Sequence, residues 1–177
     1  MVERTLPQLF EESVQKFPDN VLMWEKKDGK YQGITYREMR TRVRDFAAGL
    51  LTLGLRKGDR VTLLSEGRAD WLMSELGILY TGAINVPISV KIDEPNELKF
   101  RLSHSGSRMA IVSRGQLPKL RAVKNDLPEL ERIIVLDPVD SLEEGIALAA
   151  ETIDSGRALS TLHALIAVSN QAEVIAG

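Results

Sequence analysis

The 177-residue sequence contains no cysteine. Disulfides, thiolate catalysis and cysteine-ligated metals are therefore excluded. A charge surplus is also missing: 23 Lys and Arg face 25 Asp and Glu, a net charge of −2. Nothing in that balance advertises nucleic acid or an anionic membrane as a partner. No apolar run reaches the roughly 20 residues that cross a bilayer. The opening MVERTLPQLFEES lacks the basic-then-apolar pattern of a secretory leader. The expectation is a cytoplasmic chain without a transmembrane segment, compatible with a peripheral position at a membrane.

Histidine is nearly absent. His104 and His163 are the only two, and neither has a partner at metal-ligand spacing. His104 reads as a residue near a helix C-terminus, where the helix dipole favours its charged form, in preference to a catalytic role. Three nucleotide and nucleophile signatures are missing as well. There is no G-x-G-x-x-G after a strand, no G-x-x-x-x-G-K-[ST] and no G-x-S-x-G elbow. Ser105-Gly106-Ser107 echoes the elbow but precedes a predicted strand, so it reads as a turn.

What is present is ordinary globular composition, 44% hydrophobic and 27% charged. The chain is organised around residues 58–89. Arg60 to Ser65 (RVTLLS) reads as a buried strand, Arg68 to Thr81 as a helix and Ala83 to Ile88 (AINVPI) as the next strand. Gly82 stands where a helix ends with positive φ, and Pro87 near a strand end. Two buried strands joined by a helix imply a parallel pair. The alternation continues with a helix over residues 94–105, with Leu98, Phe100, Leu102 and His104 on its inward side. A strand over 108–113, a helix over 117–127 and a strand over 132–136 complete it. The fold class expected is an open, doubly wound, mostly parallel α/β sheet with helices on both faces.

Before that core, Thr5 to Lys16 reads as a helix with a stripe of Leu6, Leu9, Phe10, Val14 and Phe17. Asp28-Gly29 reads as a hairpin turn between two short strands. Thr35 and Glu38 have capping-box spacing at the start of a long helix. Its core face is Met39, Val43, Phe46, Ala47, Leu50 and Leu51, and Gly54 stops it. Residues 1–57 thus form a helix, a hairpin and a capped helix, 58–137 the βαβαβαβ core, and 138–177 a helical segment. That last segment opens with Ser141 and Glu144, again at capping-box spacing, and its apolar Leu162, Leu165, Ile166, Val168 and Ile175 are expected to need cover.

Ligands of such sheets bind beyond the strand carboxyl ends, so the residues there are the candidates. Arg68 could meet an anion, although Asp70 suits a helix N-terminus and Trp71 the core, and the structural reading is favoured. Ser89 and Lys91 follow another strand and read as a solvated loop. Arg40, Arg42 and Arg44 read as solvated surface.

Several segments carry a family resemblance: Ile34-Thr35-Tyr36-Arg37-Glu38, Ala47-Ala48-Gly49-Leu50, Leu53-Gly54-Leu55 and Lys57-Gly58-Asp59-Arg60-Val61. Glu66-Gly67-Arg68-Ala69-Asp70-Trp71 and Thr81-Gly82-Ala83-Ile84-Asn85-Val86-Pro87 continue it. In that order and spacing, over about residues 5–137, the chain resembles the opening of the AMP-forming acyl-CoA synthetases, in the style of a bacterial long-chain fatty-acid–CoA ligase. The resemblance implies a parent enzyme that uses ATP and Mg²⁺ to convert a fatty acid to acyl-AMP and passes the acyl group to coenzyme A. A homodimer is compatible with it. The family's Ser/Thr/Gly-rich phosphate loop ending in Pro-Lys-Gly has no match in these 177 residues. No catalytic, cofactor-binding or metal residue is therefore carried over, and the piece alone is expected to be inactive, with no cofactor of its own. Thr35, Gly54, Gly58, Asp59, Trp71, Gly82 and Pro87 carry over as scaffold positions. The rival expectation is a stand-alone, non-catalytic α/β protein that binds a ligand or partner.

Overall fold

The first helix exists because its orphan N-terminal donors are met locally. In α1 (Leu6–Lys16), the Gln8 N–H donates to Thr5 Oγ1 at 3.3 Å, and the Thr5 N–H donates to Gln8 Oε1 at 2.9 Å. This is a reciprocal capping box with Gln in the third position. Only Phe10 and Val14 of the expected stripe are buried; Leu6, Leu9 and Phe17 are exposed. These coordinates come from a computed structural model and describe residues 4–136.

Strands β1 (Val21–Lys27) and β2 (Lys30–Thr35) pair antiparallel, with Lys27 opposite Lys30. Asp28 and Gly29 lie between them at φ 51° and 78°, the two positive values of a type I′ turn, whose twist matches the hairpin. Helix α2 (Tyr36–Thr52) follows directly. The Glu38 N–H donates to Thr35 Oγ1 at 3.2 Å and the Thr35 N–H returns to Glu38 Oε2 at 2.8 Å. Met39, Val43, Ala47 and Leu50 are buried as expected, whereas Leu51 is exposed and Phe46 half-buried. Leu50 and Leu51 are 100° apart on the helix, and only one of them faces the core. Arg40 also departs from its solvated reading. It is half-buried, with Nε 2.8 Å from the Glu11 carboxylate.

The central sheet comprises β3 (Arg60–Leu64), β4 (Ile84–Pro87), β5 (Met109–Val112) and β6 (Arg132–Val135). All pairs are parallel and the order is β4-β3-β5-β6. Between them run α3 (Ala69–Tyr80), α4 (Pro95–Ser105) and α5 (Leu117–Lys124), the last preceded by a 3-10 turn at Arg114–Gln116. Gly82, at φ 78°, closes the C-terminus of α3 as expected. Pro87 lies on the edge strand, where its missing donor is tolerated.

Right-handed crossovers place α3 on one face, since the chain steps outward from β3 to β4. They place α4 and α5 on the other, since the next steps run back across the sheet. The side chains agree. Val61, Leu63, Met109 and Ile111 pack with Leu50 and Ile78 from α2 and α3. The alternate strand positions Leu64, Ala110 and Val112 are buried, as are Leu98, Leu102, Leu120 and Val123 of α4 and α5. Burying each Leu of this kind contributes about 1.5–3 kcal/mol.

Two inward assignments on α4 are corrected. Phe100 is 65% exposed and His104 is exposed beside it, their rings stacked with centroids 5.5 Å apart. Leu98 and Leu102, four residues apart, define the buried face; Phe100 lies about 200° round the helix from Leu98. Trp71 packs against the core while remaining partly accessible. Ser105-Gly106-Ser107 is the turn expected. Gly106 takes φ 62°, and Ser107 shares hydrogen bonds with Ser105 at 2.8 Å and Thr62 at 2.9 Å. The expected helices of residues 138–177, including His163 and the apolar residues from Leu162 to Ile175, lie outside the described residues.

Candidate functional site

The strand order locates the candidate site. From β3 the chain moves to one side of the sheet, and from β5 to the other. Neighbouring parallel strands with opposed connections leave a crevice beyond their carboxyl ends, the position where open α/β sheets bind ligands. The residues there are Ser65-Glu66-Gly67-Arg68 after β3 and Ser113-Arg114-Gly115-Gln116 after β5.

A polar wall spans this crevice. The Gln116 amide donates to Glu66 Oε1 at 2.7 Å, joining the two turns directly. The Ser113 hydroxyl, then the Gln116 amide, hold the Glu66 carboxyl below the usual carboxylate range against a partial desolvation, with the Arg68 charge adding to the effect. Glu66 is therefore ionised at neutral pH and serves as a fixed acceptor. A general base or acid near pH 7 needs a pKa moved the other way. Arg68 itself is half-buried, with Nε 3.8 Å from Asp70.

Beside the crevice, Lys119 of α5 reaches the loop after β4. Its Nζ donates to the Val90 carbonyl at 2.7 Å and pairs with Asp93 at 2.7 Å. Ser89 and Lys91 occupy that loop and are exposed, with the Lys91 N–H donating to Ser89 Oγ at 3.3 Å. The N-terminus of α3 has no side-chain cap of its own. The Glu25 carboxylate of the hairpin accepts from the Ala69 N–H at 3.4 Å instead, negative charge on the positive end of the helix dipole.

Of the residues singled out in the sequence, Arg68 reaches the crevice wall and Ser89 and Lys91 its outer loop. Arg42 is solvated, as read; Arg44 is exposed and pairs with Glu11 at 3.0 Å. His104 lies on the outer face of α4. Sequence reasoning missed Glu66, Ser113, Gln116 and Lys119. The available signal was positional: all but Lys119 stand within four residues of a buried strand's carboxyl end.

Among the described residues the crevice holds a carboxylate fixed by an amide, with a guanidinium beside it. Among the described residues no group of three His, Asp or Glu could hold a metal ion. The turn after β3 offers one glycine and an ionised carboxylate, a poor cradle for the phosphates of ATP, which need converging backbone donors. No step through ATP or Mg²⁺ is built on these residues. No described helix is long and apolar enough to cross a membrane.

Comparison with known proteins gives a consistent picture. Long chain acyl-CoA synthetase 8 of Arabidopsis thaliana is 28% identical over 170 residues, covering 85% of this chain and 23% of its own. The long-chain-fatty-acid–CoA ligase FadD15 of Mycobacterium bovis is 32% identical over 116 residues, covering 60% of this chain and 19% of its own. The solved N-terminal domain of FACL13 from Mycobacterium tuberculosis superposes with a TM-score of 0.67 at 25% identity, over 88% of this chain and 38% of that one. The chain thus spans under a quarter of the length of these two curated relatives. Residues 10–173, nearly the whole sequence, match the family of AMP-binding enzymes, and the chain belongs to that family.

Proposed function

We propose that this chain is the N-terminal part of a long-chain fatty-acid–CoA ligase. The whole enzyme would use ATP and Mg²⁺ to form acyl-AMP from a fatty acid, and then transfer the acyl group to coenzyme A. The observation that carries this reading is the family match over residues 10–173, together with relatives named as long-chain acyl-CoA synthetases that align along most of the chain. The chemistry is an activation. A carboxylate is a poor electrophile, whereas acyl-AMP carries a good leaving group, and cationic groups stabilise the charge that develops at phosphorus.

Within that enzyme we assign this chain a scaffold role. Residues 1–57, 58–137 and 138–177 act as its three segments, and the crevice of Glu66, Arg68, Ser113 and Gln116 forms part of the wall of the acyl or coenzyme A channel. No catalytic, cofactor-binding or metal residue is assigned to it. Two experiments test the reading. ATP- and fatty-acid-dependent exchange of radiolabelled pyrophosphate, run on this chain alone, is expected to match the no-protein control; exchange above it overturns the scaffold assignment. Sequencing the coding DNA past Gly177 is expected to reveal a Ser/Thr/Gly-rich loop ending in Lys-Gly. A stop codon there would favour a stand-alone, non-catalytic binding protein.

A further inference from the structure

Away from the crevice, one carboxylate gathers partners from two helices. Glu11 of α1 receives Arg40 Nε at 2.8 Å and Arg44 Nη2 at 3.0 Å, both from α2. The Tyr80 hydroxyl, at the end of α3, donates to it at 2.9 Å. Arg4 and Glu12, beside this node, pair with each other at 2.7 Å. Arg4, Glu11, Glu12 and Tyr80 share one shallow concavity along α1.

The apolar hold on α1 is thin by comparison. Phe10 and Val14 alone are buried, against a cluster containing Met39, Val43 and Leu76. Leu6 is 58% exposed and Phe17 49% exposed. A helix of 11 residues is marginal in water without tertiary support. Its polar attachment therefore gathers on one carboxylate, which accepts hydrogen bonds from Arg44 and Tyr80 and forms an ion pair with Arg40. Removing that acceptor leaves two guanidinium groups and a phenol to find new partners.

We propose that Glu11 is the clasp of a detachable N-terminal helix. When it is released, α1 leaves α2 and α3 as one unit and the four-stranded sheet stays folded. The vacated seat is an apolar groove floored by Met39, Val43 and Leu76. Segments of low local stability open in this way, as contiguous units, below the free energy of global unfolding. This inference goes beyond the ligase reading and does not depend on it.

Amide hydrogen exchange on the full 177-residue chain at pH 7 tests the clasp, with Glu11→Gln and Tyr80→Phe as variants. Glu11→Gln is expected to speed exchange across Phe10–Val14 by tenfold or more, while amides of β5 stay within about twofold of wild type. Tyr80→Phe, which removes one donor and keeps the charges, should shift the same amides less. Unchanged α1 exchange in Glu11→Gln overturns the proposal. Equal acceleration of α1 and β5 also overturns it, because the helix would then be melting with the whole fold. Should Glu11→Gln fail to fold, the same comparison on Tyr80→Phe decides, with acceleration confined to α1 as the supporting result.

Discussion

Gly77 of α3 faces Phe46 of α2. A methyl group built on it would lie 2.7 Å from Cδ1 of the Phe46 ring, nearer than any real carbon contact. The ring is itself packed against the core, so it has little room to retreat. Gly77→Ala gains helix propensity, about 1 kcal/mol, but forces the two helices apart. The steric term wins, and a net loss of about 1–2 kcal/mol is expected, read as a lower urea midpoint with unchanged slope. A midpoint at or above wild type would show that the ring yields freely. Met39, fully buried under α1, gives the larger effect. Met39→Ala should lose about 2–5 kcal/mol, according to how far its cavity collapses.

Elements behave as units, and α1 and α2 show what local sequence can and cannot announce. The Thr35 cap and the Asp28-Gly29 turn were legible, because each is settled within four residues. Thr35→Ala should cost about 1 kcal/mol, measured by chemical denaturation, and an unchanged midpoint would mean that the box is idle. The inward turn of Arg40 was not legible. Three arginines at alternate positions look alike until the helix supplying Glu11 is in place. The same holds for Phe100 and Leu51, apolar residues on polar faces, which composition alone assigned to the core.

Acid should find the clasp as well. Burial raises the Glu11 carboxyl, but Arg40, Tyr80 and Arg44 together outweigh it and leave the group below its ordinary value of 4.5. A folded-state pKa below the unfolded one contributes stability above the unfolded value, and that contribution is lost as pH falls through the folded one. Proteolytic cleavage within α1 should therefore rise below pH 4.5 at conditions where the sheet still resists. Simultaneous loss of both at every pH would contradict this.

The molecule as a whole is where sequence reading stopped short. Alternating strands and helices established a parallel sheet, but the order β4-β3-β5-β6 depends on which side of β3 each crossover lands. That choice is made by contacts between residues far apart in sequence. The crevice shared this fate. Arg68 was visible as a residue after a strand, whereas its grouping with Ser113 and Gln116 required knowing that β5 lies next to β3. The order also predicts unequal sensitivity. Leu63, fully buried on a central strand, should lose about 2–5 kcal/mol on truncation to Ala, and Val86 on the half-buried edge strand clearly less. Equal urea midpoints for the two variants would contradict the order.

The central place of β3 has a consequence for synthesis. Its neighbour on one side, β4, leaves the ribosome soon after it; its neighbour on the other, β5, waits for α4. Through that interval a strand with four buried positions in five has one flank without a hydrogen-bonding mate. Long-range parallel pairing of this kind is slow and leaves nascent chains open to wrong associations. The ribosome-bound intermediate whose emerged part ends near residue 105 is thus the natural client for a chaperone, and β5 is the segment whose arrival ends that need.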